Sequence, residues 1–142
     1  MVEKTLRIAG ASGFWGDAAR ATPQLLKEGP LDFIAYDYLA EITMSIMARA
    51  RAKNPDHGYA LDFVTAAMKP NLKEIARQGV KIVSNAGGVN PQACANALRA
   101  VITEMAFSRL LCLHKTLRVI VDDRQPLRAI SGGPTPALRH QR

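Results

Sequence analysis

The sequence predicts an α/β domain with a mainly parallel sheet flanked by helices, an incomplete portion of a larger domain. Three observations carry this. Short apolar runs with strand character stand at residues 5–10 (TLRIAG), 31–38 (LDFIAYDY) and 80–83 (VKIV). Each is followed by a loop of glycine, asparagine or acids. Amphipathic helical stretches separate the runs, and strands alternating with helices argue crossover units and a parallel sheet.

The elements follow in order. The first run ends in Gly10-Ala11-Ser12-Gly13-Phe14-Trp15-Gly16. Thr22 and Pro23 read as the N-cap and first-turn proline of a helix that stops at Gly29. Residues 13–21 are then a loop with Asp17 exposed in it. In the second run Phe33, Ile34 and Tyr36 form the apolar body. Leu39, Ile42, Thr43, Ile46, Met47 and Ala50 come next at helical spacing, and core packing is the expected role of that stripe. Glu41 stands in the first turn, where an acid complements the helix dipole or faces a ligand. A polar stretch with the turn signal Asn54-Pro55-Asp56 leads to a further helix from Tyr59. Its stripe is Val64, Met68, Leu72, Ile75 and Ala76, Pro70 kinks or divides it, and Gly79 ends it.

The third run opens the stretch with the densest signals, residues 80–92 (VKIVSNAGGVNPQ). Val80, Ile82 and Val83 suit a buried strand. Gly87 and Gly88 allow a sharp turn and close approach of a ligand. Asn90 is a good N-cap and Pro91 a good first helical residue. Free N–H groups there favour an anion; the alternative is a tight turn that binds nothing. Cys94, Leu98, Val101, Ile102 and Met105 then line the buried face of a last helix, with Cys94 as a small core residue.

A chain of 142 residues, 48% hydrophobic and 22% charged, suits a globular domain with a real core. The N-terminus does not read as a signal peptide, and no run approaches the length of a membrane span. Cys94 and Cys112 are far apart, and with His57, His114 and His140 they give no metal-ligand spacing. A reducing cytoplasm is the expected setting. The net charge of +7 is uneven: residues 1–108 hold 12 Lys/Arg against 10 Asp/Glu, and residues 109–142 hold 7 against 2. The excess sits in a tail and not on a face with interleaved aromatics, so neither nucleic acid nor membrane is an expected partner. A small-molecule ligand is expected, and an oligomer is compatible with the sequence.

In parallel sheets ligands bind at the carboxyl ends of strands. The loops there hold Ser12, Gly13 and Asp17, then Asp37 and Glu41, then Asn85, Gly87, Gly88 and Asn90. They are expected to converge on one rim. The spacing Gly10, Gly13, Gly16 is also similar to the dinucleotide fingerprint of short-chain oxidoreductases, with Asp32 or Asp37 near the place of a ribose-binding acid. The delayed helix start at Thr22, and two helical segments between the second and third strands, count against that NAD(P)-binding alternative.

Four segments together resemble the N-terminal region of the acyclic terpene utilisation A (AtuA-like) family: residues 7–17 (RIAGASGFWGD), 31–41 (LDFIAYDYLAE), 58–59 (GY) and 79–93 (GVKIVSNAGGVNPQA). The family pattern is G-x-x-G-F-x-G-D, then L-A-E, then N-x-G-x-x-N-P. Phe14, Gly16, Asp17, Leu39, Ala40, Glu41, Asn85, Gly87, Asn90 and Pro91 match it, and the similarity runs over residues 5–102. The resemblance implies an association with bacterial breakdown of acyclic terpenes such as citronellol and geraniol, beside CoA-thioester enzymes. A CoA thioester or branched acid is then the implied ligand. Asp17 and Glu41 become the catalytic candidates, and Ser12, Gly13, Asn85, Gly87, Gly88 and Asn90 the substrate-binding candidates. No metal site and no particular cofactor follow.

The chain also departs from the family, whose members are longer and continue with a strand ending in a G-D-D loop. Here residues 117–121 and Asp122-Asp123 echo that strand without the glycine. The expected organisation is an AtuA-like α/β region at 1–106 and a divergent basic tail at 107–142, from truncation or a frame shift near Phe107. An inactive fragment is the remaining alternative.

Overall fold

The computed structural model describes residues 5–105. Three parallel strands, β1 (Ile8–Ser12), β2 (Phe33–Tyr36) and β3 (Lys81–Ser84), lie in the order β1-β2-β3. Ala9 pairs with Ile34, and Ile34 with Ile82. The helices are α1 (Ala18–Glu28), α2 (Glu41–Lys53), α3 (Leu72–Gln78) and α4 (Pro91–Glu104). A π-helical segment (Phe63–Met68) and a 3-10 turn (Lys69–Asn71) lead into α3. The domain is thus α/β, as the sequence predicts.

Side chains alternate across a strand, so each sheet face can be read from burial. Ala11, Ile34, Tyr36, Ile82 and Ser84 are buried. Ile8, Gly10, Phe33, Ala35, Lys81 and Val83 are exposed or half-buried. Right-handed crossovers between sequential neighbours put their helices on one side of the sheet. The core lies on that side, with Phe63, Met68, Leu72, Ile75 and Leu98 fully buried beneath Ile34 and Ile82. Burying each such side chain contributes roughly 1.5–3 kcal/mol, so this layer holds the fold together.

Most element boundaries follow the local chemistry. Pro70 sits in the 3-10 turn and divides the second helical segment, since it has no N–H to continue the α-helical ladder. Gly79 closes α3 at φ +66, a left-handed conformation natural to glycine. Pro91 opens α4 behind the Asn90 cap. Strand β1 runs later than the predicted 5–10 because Arg7 is tied to the chain before β2: its N–H donates to Asp32 Oδ2 at 2.8 Å, and its carbonyl accepts from Asp32 N at 2.9 Å. Strand β2 starts late for the same reason, and it ends at Tyr36, where the Asp37 carbonyl and the Tyr38 N–H are taken by the Ser12 and Asn85 side chains.

Two expectations are corrected. Helix α1 begins at Ala18 and not at Thr22, and Pro23 lies inside it. The Asp17 carbonyl accepts from Arg20 N at 3.0 Å and Ala21 N at 3.1 Å, which starts the helix early. Ala18, Ala19 and Ala21 are strong helix formers, and they outweigh one interior proline. The loop after β1 is then residues 13–17, and Asp17 is half-buried. The second correction concerns α2. Ile42 and Ile46 are 70% and 47% exposed, so they are not core. Thr43 and Met47 of the expected stripe are buried, and Arg51, one turn further on, is exposed. Met47 packs against the Gly88 backbone and Arg51 reaches the Val89 carbonyl.

The tail at 107–142, with Cys112, the 117–121 run and Asp122-Asp123, lies outside the described residues. No helix among the described residues is long and apolar enough to cross a membrane.

Pro23 inside α1 leaves the Ala19 carbonyl without its helical donor. Pro23→Ala is expected to raise unfolding stability by about 1–2 kcal/mol in urea titrations. A helix starting at Thr22 would put Pro23 at a favoured first position, and the substitution would then be neutral or destabilising.

Candidate functional site

The parallel register brings the three carboxyl ends together: Ser12 pairs with Tyr36, and Tyr36 with Ser84. The residues just beyond are locked to one another. The Ser12 hydroxyl donates to the Asp37 carbonyl at 2.8 Å. Asn85 Nδ2 donates to Asp37 Oδ1 at 2.6 Å, while Asn85 Oδ1 accepts from Tyr38 N at 2.7 Å. An amide side chain with both a donor and an acceptor is what such a bridge requires. On the open face beside this chain lies a cleft of about 310 Å³. Gly10, Ala35 and Val83 floor it, and Ser12, Asp37 and Asn85 wall its end. Small floor residues leave room, and the polar end gives direction.

The helix side of the same rim is different. Asp17 folds back on its own loop, with Oδ2 accepting from Gly13 N at 2.7 Å and Phe14 N at 3.3 Å. Trp15 Nε1 donates to Asp62 Oδ1 at 2.6 Å. Tyr38 packs edge-on against Phe63, the neighbour of Asp62, with ring centroids 5.9 Å apart. Burial pushes the Tyr38 phenol well above its ordinary range, and the nearby Asp62, Tyr36 and Asp17 add to this. Burial also raises the Asp62 carboxyl, against the opposing Trp15 bond. Tyr36 is pushed up to about 12 by burial, partly offset by the Thr22 hydroxyl at 2.9 Å. Two atoms here are buried without a hydrogen-bond partner, Asp17 Oδ1 and the Tyr38 hydroxyl.

The other sequence candidates have local work. In the 85–90 loop, Ala86 N donates to Ser84 Oγ, Gly88 N to Asn85 O, Val89 N to Gly58 O and Asn90 N to Gly87 O. These amides are committed within the protein, which makes the loop a tight turn. Asn90 Oδ1 accepts from Ala93 N, and its Nδ2 donates to the Pro55 and His57 carbonyls. Gly88, at φ +51, has no room for a Cβ beside Met47 and the Gly58 carbonyl, and a Cβ on Gly87 would meet Pro91. Glu41 is exposed at the first position of α2, apart from the Ser12–Asp37–Asn85 chain.

The dinucleotide alternative meets a specific obstacle. Helix α1 does open directly after the glycine loop, so the delayed start no longer counts against it. Yet Gly10 lies within β1 and not in the turn, and the Gly13 and Phe14 amides already hold a carboxylate. That negative charge opposes a pyrophosphate. Asp32 stands before β2, at the opposite end of the sheet.

Trp15, Tyr38 and Asp62 were not legible as site residues. No motif or spacing in the sequence singles out any of the three. Exposed apolar side chains stand close by in sequence, Phe14 beside Trp15 and Leu61 beside Asp62.

These features define an α/β domain with a small-molecule-sized cleft at the carboxyl end of a parallel sheet. The model of the acyclic terpene utilisation family protein AtuA matches residues 6–115, and the chain belongs to that family. The match reaches past the described residues. No curated protein and no solved structure matches the chain.

The raised Asp62 carboxyl gives a pH test. A group whose folded pKa is raised favours the fold while protonated, and loses that contribution as pH rises from the ordinary value of 3.8 through the raised one. Asp62→Asn keeps an acceptor for Trp15, so stability at pH 7 is expected to be equal or higher, without that fall. Asp62→Ala orphans the indole N–H and is expected to cost about 1–2 kcal/mol. Urea titrations between pH 4 and 7 check both.

Proposed function

We propose that this domain serves the breakdown of acyclic terpenes such as citronellol and geraniol, and that its cleft holds a branched acyclic acyl intermediate. The family assignment supports the association with acyclic terpene utilisation. One observation carries the ligand class: an apolar floor of Gly10, Ala35 and Val83 ends at the polar wall of Ser12, Asp37 and Asn85. A branched hydrocarbon chain with a carbonyl head matches that division. Asn85 Nδ2 has a second N–H beyond the one given to Asp37, a donor suited to a carbonyl oxygen.

Charge selects the form of the head group. Asp17, Asp37 and Glu41 all stand at this end of the sheet, and like charges oppose a free carboxylate. A thioester head, which is neutral, is therefore favoured over a free carboxylate at the cleft's polar end, with the anionic phosphates of CoA held away from these acids. In this proposal Glu41, exposed at the start of α2, is the carboxylate available for acid–base chemistry, and Asp17 acts by bracing the loop after β1. Gly13, Gly87, Gly88 and Asn90 act by holding the loops that frame the cleft.

The test is thermal stability of the whole chain with a branched unsaturated acyl-CoA, with CoA alone and with NAD. A ligand that binds only the folded state adds about 2.7 kcal/mol at one hundred times its Kd, enough to move Tm by several degrees. The acyl-CoA is expected to raise Tm and CoA alone to do so much less. Ala35→Leu, which fills the floor, and Asn85→Ala are each expected to weaken binding by about tenfold or more. No shift with acyl-CoA, or an unchanged shift in Ala35→Leu, would overturn the reading. A rise with NAD that Gly13→Val abolishes would favour the oxidoreductase alternative.

A further inference from the structure

A second cavity shares no lining residue with the cleft. Its volume is about 380 Å³, within the range of small-molecule sites. It lies between the turn at 54–58, which follows α2, and the first two turns of α4. Asn90 ties these walls together. Its Nδ2 donates to the Pro55 and His57 carbonyls, both at 2.7 Å, and its Oδ1 accepts from Ala93 N at 3.3 Å. Asn90 is buried, so these bonds are sheltered from water. Its amide is spent on placing the walls, and other groups are left to meet a ligand.

Asp56 is the one charged residue lining the cavity. Its backbone N–H is engaged, with Asn54 Oδ1 at 3.0 Å, but its carboxylate has no partner among the described residues. Tyr59 is buried as a whole, yet its hydroxyl makes no hydrogen bond among the described residues and is not shut off from solvent. Burial, Cys94 and Asp56 raise the Tyr59 phenol above its ordinary value, which places the Asp56 charge near that hydroxyl. Gln92 Nε2 donates to Asn96 Oδ1 at 2.9 Å and leaves Gln92 Oε1 as an acceptor. Arg99 Nη1 donates to the same Asn96 oxygen at 3.1 Å, and Arg99 does not line the cavity. The cavity therefore offers three acceptors, the Asp56 carboxylate, Tyr59 Oη and Gln92 Oε1.

We propose that this cavity binds a small aliphatic primary ammonium, with Asp56 as its charge partner and Tyr59 and Gln92 as its other acceptors. A primary ammonium carries three N–H donors and no acceptor, which matches the three groups left over. Pro55, Ala93 and Ala97 supply apolar wall for the carbon chain. An anion would meet Asp56 as a like charge, and the α4 amides suited to it, Ala93 N and Cys94 N, are taken by Asn90. A metal ion would find one carboxylate, and no group of three His, Cys, Asp or Glu suited to a metal stands among the described residues. A neutral hydroxyl has one donor for three acceptors and no charge for Asp56. The site is independent of the reading given to the cleft.

The side-chain amides of Gln92 and Asn96 line the cavity and give direct NMR reporters of its occupancy. The experiment titrates the isotopically labelled full chain, at constant low ionic strength, with three probes. These are n-butylammonium, n-butanol, which keeps the skeleton without the charge, and tetramethylammonium, which keeps the charge without an N–H. The butylammonium is expected to shift both amides saturably, and the other two to bind at least about tenfold more weakly. Asp56 is exposed and its carboxylate holds nothing, so Asp56→Asn should melt like the parent. It is expected to bind butylammonium about tenfold more weakly or worse, and Tyr59→Phe about threefold or worse. No saturable shift, an equal response to n-butanol or tetramethylammonium, or unchanged affinity in Asp56→Asn would overturn the proposal. If any of these occurs while acyl-CoA still raises Tm in an Ala35-dependent way, the ammonium site fails and the cleft stands. A butylammonium response without an acyl-CoA shift supports the ammonium site and removes the cleft.

Discussion

The constraint on which the structure depends is the handedness of the crossovers. Three parallel strands in sequential order, each joined to the next by a right-handed connection, must send their helices to one side. From this follow the single buried layer around Ile34, Phe63 and Ile82, and the open face that carries Gly10, Ala35 and Val83. Every strand also ends at the same edge, so Ser12, Asp37 and Asn85 become neighbours despite lying up to 73 positions apart in the chain. The cleft is thus a product of topology more than of any one motif.

Much of this architecture is legible in the sequence because it rests on local chemistry. The β-branched runs, the Asn90–Pro91 helix start, the Gly79 stop and the division at Pro70 depend on residues acting within a few positions of themselves. The convergence of Ser12, Asp37 and Asn85 follows once the sheet is taken as parallel. The misplaced features depend on contacts from elsewhere. Pro23 and Thr22 carry a helix-start signal, yet Asp17 and a run of alanines begin the helix four residues earlier. Thr43 and Met47 of the α2 stripe are buried as their spacing predicts, but Ile42 and Ile46 are not, because α2 is oriented by Met47 against the Gly88 backbone, distant in sequence.

The same logic separates two kinds of candidate residue. Gly87, Gly88 and Asn90 drew notice for a motif that could cradle an anion, and their bonds are spent on holding a turn. Tyr38 and Asp62 drew none, because nothing in a single chain says which buried hydroxyl will lack a partner. Polar groups stand out only after hydrogen bonds are assigned, when satisfied atoms can be set apart from unsatisfied ones. The rim therefore has a well-braced side, fixed by the Asn85 bridge, and a side where burial leaves two atoms wanting a partner.

The outer edge of β1 has a consequence of its own. Among the described residues no strand pairs with the side of β1 that points away from β2, which leaves a row of backbone groups on which a further strand could add, and Leu6 and Ile8, 50% and 64% exposed, supply the stickiness such pairing needs. The irregular register between Gly10 and Ser12 interrupts that row partway along. An incoming strand could pair in regular fashion over only the first few residues, too short a ladder to zip stably. The distortion at the carboxyl end of β1 thus shortens the regular edge open to pairing.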